Sequence, residues 1–349
     1  MAMTRTFGAV AALGAAAAFA LPAAPAQAAG SYVALGDSYA SGTGTRTYLR
    51  DGTTCQRSVY AYPSLISASK GLTLNFRACS GATVADVTNT QLSALSSATT
   101  QVSISVGGND AGFASVLTEC AKPGWMSNCN GAIDGAQSII TGTLPARLST
   151  VFAAIRAKAP NAKVVVVGYP RIFQGEDCNA LTWFSPAEET RLNQTADLLN
   201  SKISAQASAK GFIFANPTSR FLGHAVCDPV EWLNGLSNPV GESYHPNVAG
   251  HRDGLAPLVS TPLTGSAFTS TTATLRTAAA SADRLASQQR RFATADASIV
   301  PEQFRLPDLT TAAARAAARR AGVDLGSRAS IDSADRAWSQ RQAAQYATR

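Results

Sequence analysis

A serine hydroxyl becomes a nucleophile only when a base takes its proton. The segment L-G-D-S-Y-A-S-G at residues 35–42 sets Ser38 just beyond an apolar run, S-Y-V-A-L, where a loop can present it. The chain has three histidines. His245 lies in E-S-Y-H-P-N ahead of a closing helical pattern, His251 falls inside that pattern, and His224 sits in a cysteine-bearing loop. His245 is therefore the base that a last loop can bring to a first-loop serine. Two other segments supply hydrogen-bond donors. Gly81, in C-S-G-A-T at 79–83, lets the backbone approach a ligand closely and offer its N–H. Asn109, in V-G-G-N-D at 106–110, offers a side-chain amide. With the N–H of Ser38 these make three donors around a tetrahedral oxyanion, the arrangement that acyl transfer needs. Each segment alone would read as a strand-end turn; their order after three successive strand-like runs carries the signal. Asp37 and Asp110 read as loop braces, because neighbours in extended chain face opposite ways.

The elements that must hold these groups alternate along the chain. Strand-like runs occupy 31–36, 72–79, 101–106, 163–168 and 212–215, and the fourth, K-V-V-V-V-G, suits a strand buried on both faces of a parallel sheet. Helical patterns cover 62–70, 85–95, 111–121, about 139–159 with Pro145 as a break or start, 186 to about 210, and 246–258. Ser185, Pro186 and Glu188 form a helix start with Ser as cap, Pro at the first turn and Glu in a capping box. Five strands separated by helices predict a three-layer α/β domain with a mainly parallel sheet. Ligands then bind beyond the carboxyl ends of the strands, which puts the loops after Gly36, Cys79, Val106 and Gly168 on one rim.

The formal net charge is +7. From residue 261 onward there are 12 Arg against 7 acids, a net +5, and without Arg5 the body between is near +1. A nearly neutral body gives no electrostatic case for nucleic acid. Residues 1–28 read as a secretory signal: Arg5, an apolar run from Phe7 to Leu21, and the small-x-small site Ala26-Gln27-Ala28, with cleavage after Ala28. Pro22 and Pro25 cut the run short of a membrane anchor. An even set of cysteines in an exported chain favours disulfides over zinc, for which C-x-x-C is lacking. Spacing leaves the connectivity open, nearest-neighbour pairing being the simplest. Residues 29–260 form the expected catalytic domain. Residues 261–349 form a linker, 261–274, and an Ala/Arg-rich extension, helical or partly disordered, with Trp338 and Tyr346 as its notable aromatics. The extension is expected to be dispensable for hydrolysis, and its arginines could touch a membrane or cell wall.

The four blocks G-D-S-Y at 36–39, Gly81 in S-G-A-T, Gly107-Gly108-Asn109-Asp110 and His245 in S-Y-H-P-N resemble, in that order, the SGNH hydrolases, also called GDSL esterases and lipases. The resemblance spans about residues 31–258 and is strongest to the secreted bacterial lipase and phospholipase A1 branch. It implies a flavodoxin-like α/β/α sandwich, Ser38 as nucleophile, His245 as base and then acid, and Ser38, Gly81 and Asn109 as the oxyanion hole. It also implies three sequential disulfides, Cys55–Cys79, Cys120–Cys129 and Cys178–Cys227. Most of the family has Asp three residues before the histidine; Glu242 stands there instead. The similar branch uses a main-chain carbonyl, so the Ser243 carbonyl is the expected orienter of the imidazole and Glu242 the alternative. Tyr39 replaces the Leu of the family name. No G-x-S-x-G elbow is present, Ala40 taking the last glycine's place, which excludes the α/β-hydrolase presentation.

The reading is a secreted serine esterase or lipase acting on acyl lipids through an acyl-enzyme, monomeric, with no cofactor and no metal. Phospholipase A1 and acetyl-polysaccharide esterase are alternatives within that chemistry, and a non-catalytic secreted binding protein on the same fold is the alternative outside it. Phe173, Trp183, Phe184 and Trp232 are candidates for an acyl groove or for core.

Overall fold

A computed structural model of the chain describes residues 1–4, 6, 8 and 30–347. The cleavage point at Ala28 and all but Gly8 of the apolar run before it lie outside them, as does the side chain of Tyr346. Five strands, β1 (Ser31–Gly36), β2 (Thr73–Phe76), β3 (Gln101–Ser105), β4 (Lys163–Val167) and β5 (Ile213–Ala215), form one parallel sheet in the order β2-β1-β3-β4-β5. The helices are α1 (Ser38–Ser41), α2 (Tyr62–Lys70), α3 (Val84–Asp86), α4 (Phe113–Cys120), α5 (Cys129–Thr141), α6 (Leu144–Lys158), α7 (Pro186–Ser208), α8 (Ala256–Thr264), α9 (Thr272–Ala280), α10 (Ala282–Arg290), α11 (Ala293–Asp296), α12 (Ala312–Ala321) and α13 (Arg328–Ala347).

Side chains alternate across each strand and fill two cores. Tyr32, Ala34, Val165 and Val167 face α2 and α8, whereas Val33, Leu35, Val102, Ile104, Val164 and Val166 face α6 and α7. This is the expected α/β/α sandwich. The chain leaves β1 in one direction and returns across it to β3, so the order reverses at the carboxyl ends of those two strands, the place where open α/β sheets bind ligands.

The sequence reading needs four corrections. α5 falls on C-N-G-A-I-D-G-A-Q-S-I-I-T, whose two glycines and polar residues hid it; packing against α4 and α7 and the Cys120–Cys129 bridge hold it. The helix expected over 139–159 starts afresh at Leu144, with Pro145 in its first turn. The segment 85–95 is a short α-turn followed by wider and tighter turns, not one α-helix. The boundary at 260/261 cuts α8, which runs on to Thr264 because Leu263 is buried, and which Gly265 stops in a left-handed conformation.

An irregular, largely exposed stretch, 265–271, joins α8 to α9, and the helices beyond it pack on the body. α9 packs on α2 and α10 on β2, and Ala278, Leu285, Ile299, Phe304, Ala314 and Ile331 are buried. Its firmest tie is ionic. Asp296 accepts from Arg57 Nη2 at 2.7 Å and from Arg77 Nη2 at 2.6 Å, all three side chains fully enclosed, while Phe292 lies 4.0 Å over the Arg77 guanidinium. Farther along, Asp332 accepts from Trp183 Nε1 at 3.0 Å and Asp335 from the Gly124 amide at 2.7 Å.

Candidate active site

β1 ends in Gly36, whose φ of 121° no other residue adopts easily; a Cβ there would stand 2.2 Å from the Ser105 carbonyl. The chain then turns through Asp37 into α1. Asp37 Oδ1 caps that turn by accepting from the Tyr39 amide at 3.0 Å, and Oδ2 accepts from the Tyr169 hydroxyl. Tyr169 Oη in turn accepts from the Gly108 amide at 3.1 Å. One carboxylate thus pins the Ser38 turn to the block that carries Asn109. Burial pushes the Asp37 carboxyl up to about 7. Asp110 does the matching work between the second and third blocks, accepting from the Val84 amide at 2.9 Å. Both aspartates are braces, as their positions imply.

Ser38 and His245 meet. Ser38 Oγ lies 2.9 Å from His245 Nε2, and His245 Nδ1 lies 2.9 Å from the Ser243 carbonyl oxygen. A carbonyl can only accept, so Nδ1 carries the proton and Nε2 is left to accept from the serine hydroxyl. The geometry requires an unusual backbone: Tyr244, between these two residues, has φ 63°. That left-handed turn folds the carbonyl of residue 243 back onto the ring of residue 245, at a cost of about 1–3 kcal/mol. Three contacts hold it. Tyr39 Oη donates to the Tyr244 carbonyl at 2.8 Å, Asn234 exchanges backbone bonds with Tyr244 and His245, and Asn234 Nδ2 donates to the Gly44 carbonyl at 2.9 Å. Glu242, the alternative orienter, turns away: its Oε1 accepts from Tyr48 Oη at 2.6 Å and its Oε2 lies 3.7 Å from Arg46 Nε.

His245 is enclosed, with 9 % of its surface exposed. Burial lowers its pKa from the usual value to about 4, against the raising effect of the bond to Ser243. The imidazole is therefore neutral at every pH above that, where an ordinary imidazole of pKa 6.5 would already be half charged at pH 6.5. The other histidines stand apart. His251 is buried beside α2, its Nδ1 accepting from the Tyr62 amide, and His224 stacks on Trp232.

Gly81 and Asn109 line the same small cavity as Ser38 and His245. Asn109 Nδ2 donates one hydrogen to the Ala82 carbonyl at 3.0 Å and keeps its second for a ligand. Among the described residues neither the Ser38 nor the Gly81 amide is committed to another protein acceptor. The blocks are fastened by the Cys55–Cys79 bridge and by the Cys79 amide donating to the Gly36 carbonyl at 2.9 Å. The other two bridges are Cys120–Cys129 and Cys178–Cys227, and no free cysteine remains among the described residues.

Of the two readings open for the four aromatics, packing within the body holds rather than an acyl groove. Phe173 and Phe184 pack on Tyr244 as core, Trp183 is covered by α13, and Trp232 supports His224. The apolar cleft beside the site has other walls, including Tyr39, Phe113, Val116, Ile140, Leu192 and Leu199. Tyr39 and Phe113 also flank the His245 ring, with centroids 5.4 and 5.7 Å away. Tyr169 opens the loop after β4, a rim position, and that placement alone could have nominated it. Asn234 and Tyr244 carry no such local signal.

A model of the GDSL-like Lipase/Acylhydrolase family matches residues 34–252. Lipase 1 of Streptomyces coelicolor is 44% identical over 236 residues, 67% of this chain and 87% of that protein. The lipase of Streptomyces rimosus is 42% identical over 231 residues, 66% of this chain and 85% of that protein. Two solved structures superimpose with a TM-score of 0.64 at 42% identity, the extracellular lipase of Streptomyces rimosus and the phospholipase A1 of Streptomyces albidoflavus. In each comparison 67% of this chain covers all of the other.

Proposed function

This chain belongs to the GDSL-like lipase/acylhydrolase family and is a carboxylic ester hydrolase, and from that premise we propose that Ser38 carries the acyl group while His245 moves the proton. The observation that carries the assignment is the 2.9 Å pair of contacts on either side of the imidazole, to Ser38 Oγ and to the Ser243 carbonyl. His245 Nε2 takes the hydroxyl proton as Oγ attacks the ester carbon. The oxyanion that forms is met by the amides of Ser38 and Gly81 and by Asn109 Nδ2. Collapse of the tetrahedral intermediate expels the alcohol, protonated by His245, and leaves an ester on Ser38. Water, deprotonated by the same imidazole, then releases the acid. The Ser243 carbonyl fixes the tautomer that each step needs.

The substrate class is an acyl lipid, its chain lying in the apolar cleft behind Tyr39 and Phe113. Triacylglycerol and phospholipid both present such an ester, and relatives named lipase and phospholipase A1 are matched equally well. Three disulfides, and the extracellular lipase among the relatives, support a place outside the cell. Ser38→Ala tests the assignment: turnover of a soluble aryl ester falls by a factor on the order of 10⁵–10⁶, with the thermal midpoint unchanged. Undiminished turnover removes Ser38 from the mechanism. Acid release from a triglyceride, a phospholipid and acetylated xylan, compared side by side, fixes the substrate class; activity on xylan alone would overturn the lipid reading.

A further inference from the structure

Residues 299–304, S-I-V-P-E-Q-F from position 298, cross the mouth of the site. Pro301, Glu302, Gln303 and Phe304 form one wall of the cavity that contains Ser38, Gly81, Asn109 and His245. Each is seated on a different part of the rim. Pro301 lies on Gly81 so closely that a Cβ there would stand 2.3 Å from the Pro301 Cα. Glu302 accepts from the Ser115 hydroxyl on α4, and the Arg305 amide donates to Thr118 Oγ1 of the same helix at 3.0 Å. Across the mouth, the Gln303 side chain lies against Gly241, 3.1 Å from where a Cβ would stand, and the Phe304 ring packs edge-on against Tyr244 at 4.9 Å. Phe304 is 4 % exposed and Ile299 2 %. The segment is strung between α4 and the histidine loop, tied down upstream by the Asp296 ion pairs.

What remains beneath it is too small for the reaction. The enclosed space is about 10 Å³, room for about one water molecule. An ester needs room for its carbonyl beside Ser38 and Gly81, and Pro301 packs on Gly81 in that same cavity. The family match ends at residue 252, well before this segment, so the family's own chemistry does not require it.

We infer that residues 299–304 are a built-in strap that excludes substrate, and that the full chain is a restrained form of the hydrolase which turns over in proportion to the time the strap is lifted. This rests on the site assigned above. The strap neither donates nor accepts in the proposed chemical steps; it acts by occupying space. Lifting it therefore speeds every reaction of Ser38, and bulky acyl groups gain more than small ones because more of their volume must pass the mouth that Pro301 and Phe304 close.

The test uses the full-length chain and the rate at which a compact fluorophosphonate labels Ser38, with aryl ester turnover alongside. Phe304→Ala removes the apolar seat. Glu302→Ala with Gln303→Ala removes the bond to Ser115 and the packing on Gly241 at two exposed positions, so it leaves a folded protein if Phe304→Ala does not. A strap closed at least nine-tenths of the time implies labelling about tenfold faster once it is released. We expect that acceleration in Phe304→Ala, a smaller one in the double variant, and a larger gain for octanoyl than for acetyl esters in both. Folded variants that label at the wild-type rate, with wild-type turnover of both esters, overturn the strap and leave the proposed function standing. If neither wild type nor any variant labels at Ser38, the proposed function falls and the strap with it.

Discussion

At the scale of single residues the account turns on which atom holds the imidazole. The Glu242 carboxylate is engaged by Tyr48 and Arg46, and His245 Nδ1 faces the Ser243 carbonyl. Glu242→Gln is thus expected to change kcat/KM for an aryl ester less than about threefold, whereas loss of an orienting carboxylate costs on the order of 10⁴. A hundredfold loss would restore the carboxylate to the role. Asn109→Ala removes one oxyanion donor and should lower kcat by about 10²–10³ with little change in KM. The pH profile follows from burial. The lowered pKa of His245 keeps the base neutral as pH falls, so activity should hold through pH 6 and be lost only as pH approaches about 4. An acid limb centred at 6.5 would mean that the ring is not enclosed in the reacting enzyme. Ser38, Gly81, Asn109 and His245 were legible from the sequence because each sits at the end of a strand-like run or before a helix, where local pattern fixes position. The orientation of His245 was not derivable from pattern: it depends on a left-handed tyrosine, a conformation that no aromatic side chain favours, held by Tyr39 and Asn234 from far along the chain.

Among elements, the rim is fastened by contacts between blocks rather than within them. Tyr39→Phe deletes the bond from Tyr39 Oη to the Tyr244 carbonyl and leaves a buried acceptor unpaired. It should cost about 1–3 kcal/mol and loosen the His245 loop, read as a lower thermal midpoint together with lower kcat. Asp296→Ala is more severe. It strands Arg77, for which Asp296 is the only carboxylate partner among the described residues, and it leaves Arg57 with Asp51 alone. A destabilisation of about 3–5 kcal/mol is expected in denaturant melts. A shift below about 1 kcal/mol would show that water replaces the carboxylate freely and that the extension is only loosely joined. The sheet order and most strands were readable because β-branched and apolar runs alternate with helical patterns. α5 was not, since its glycines and polar residues argue against a helix until the disulfide and its neighbours are counted.

Across the whole molecule, the sequence presents a hydrolase body followed by an Arg-rich tail, and composition made the tail look dispensable. In the fold α9 packs on α2, α10 on β2 and α13 on α7, and Asp296 of α11 meets two buried arginines more than two hundred residues earlier in the chain. No local pattern announces a pairing at that distance, because an Arg and an Asp each have many possible partners until the backbone brings two together. The expectation that hydrolysis survives removal of residues 261–349 therefore needs a qualification in physical terms. Removing them opens the mouth, but it also leaves Arg77 without its counter-ion, so the opposing effects on turnover and stability must be read separately. The most direct measurement of the central assignment is rapid-quench mass spectrometry of the full-length chain turning over an aryl ester. The account predicts one acyl adduct, carried on the hydroxyl of Ser38 in the peptide that ends at Arg46, forming before acid is released and missing in Ser38→Ala. Turnover without an acyl group on Ser38, or with the group on any other side chain, would contradict it.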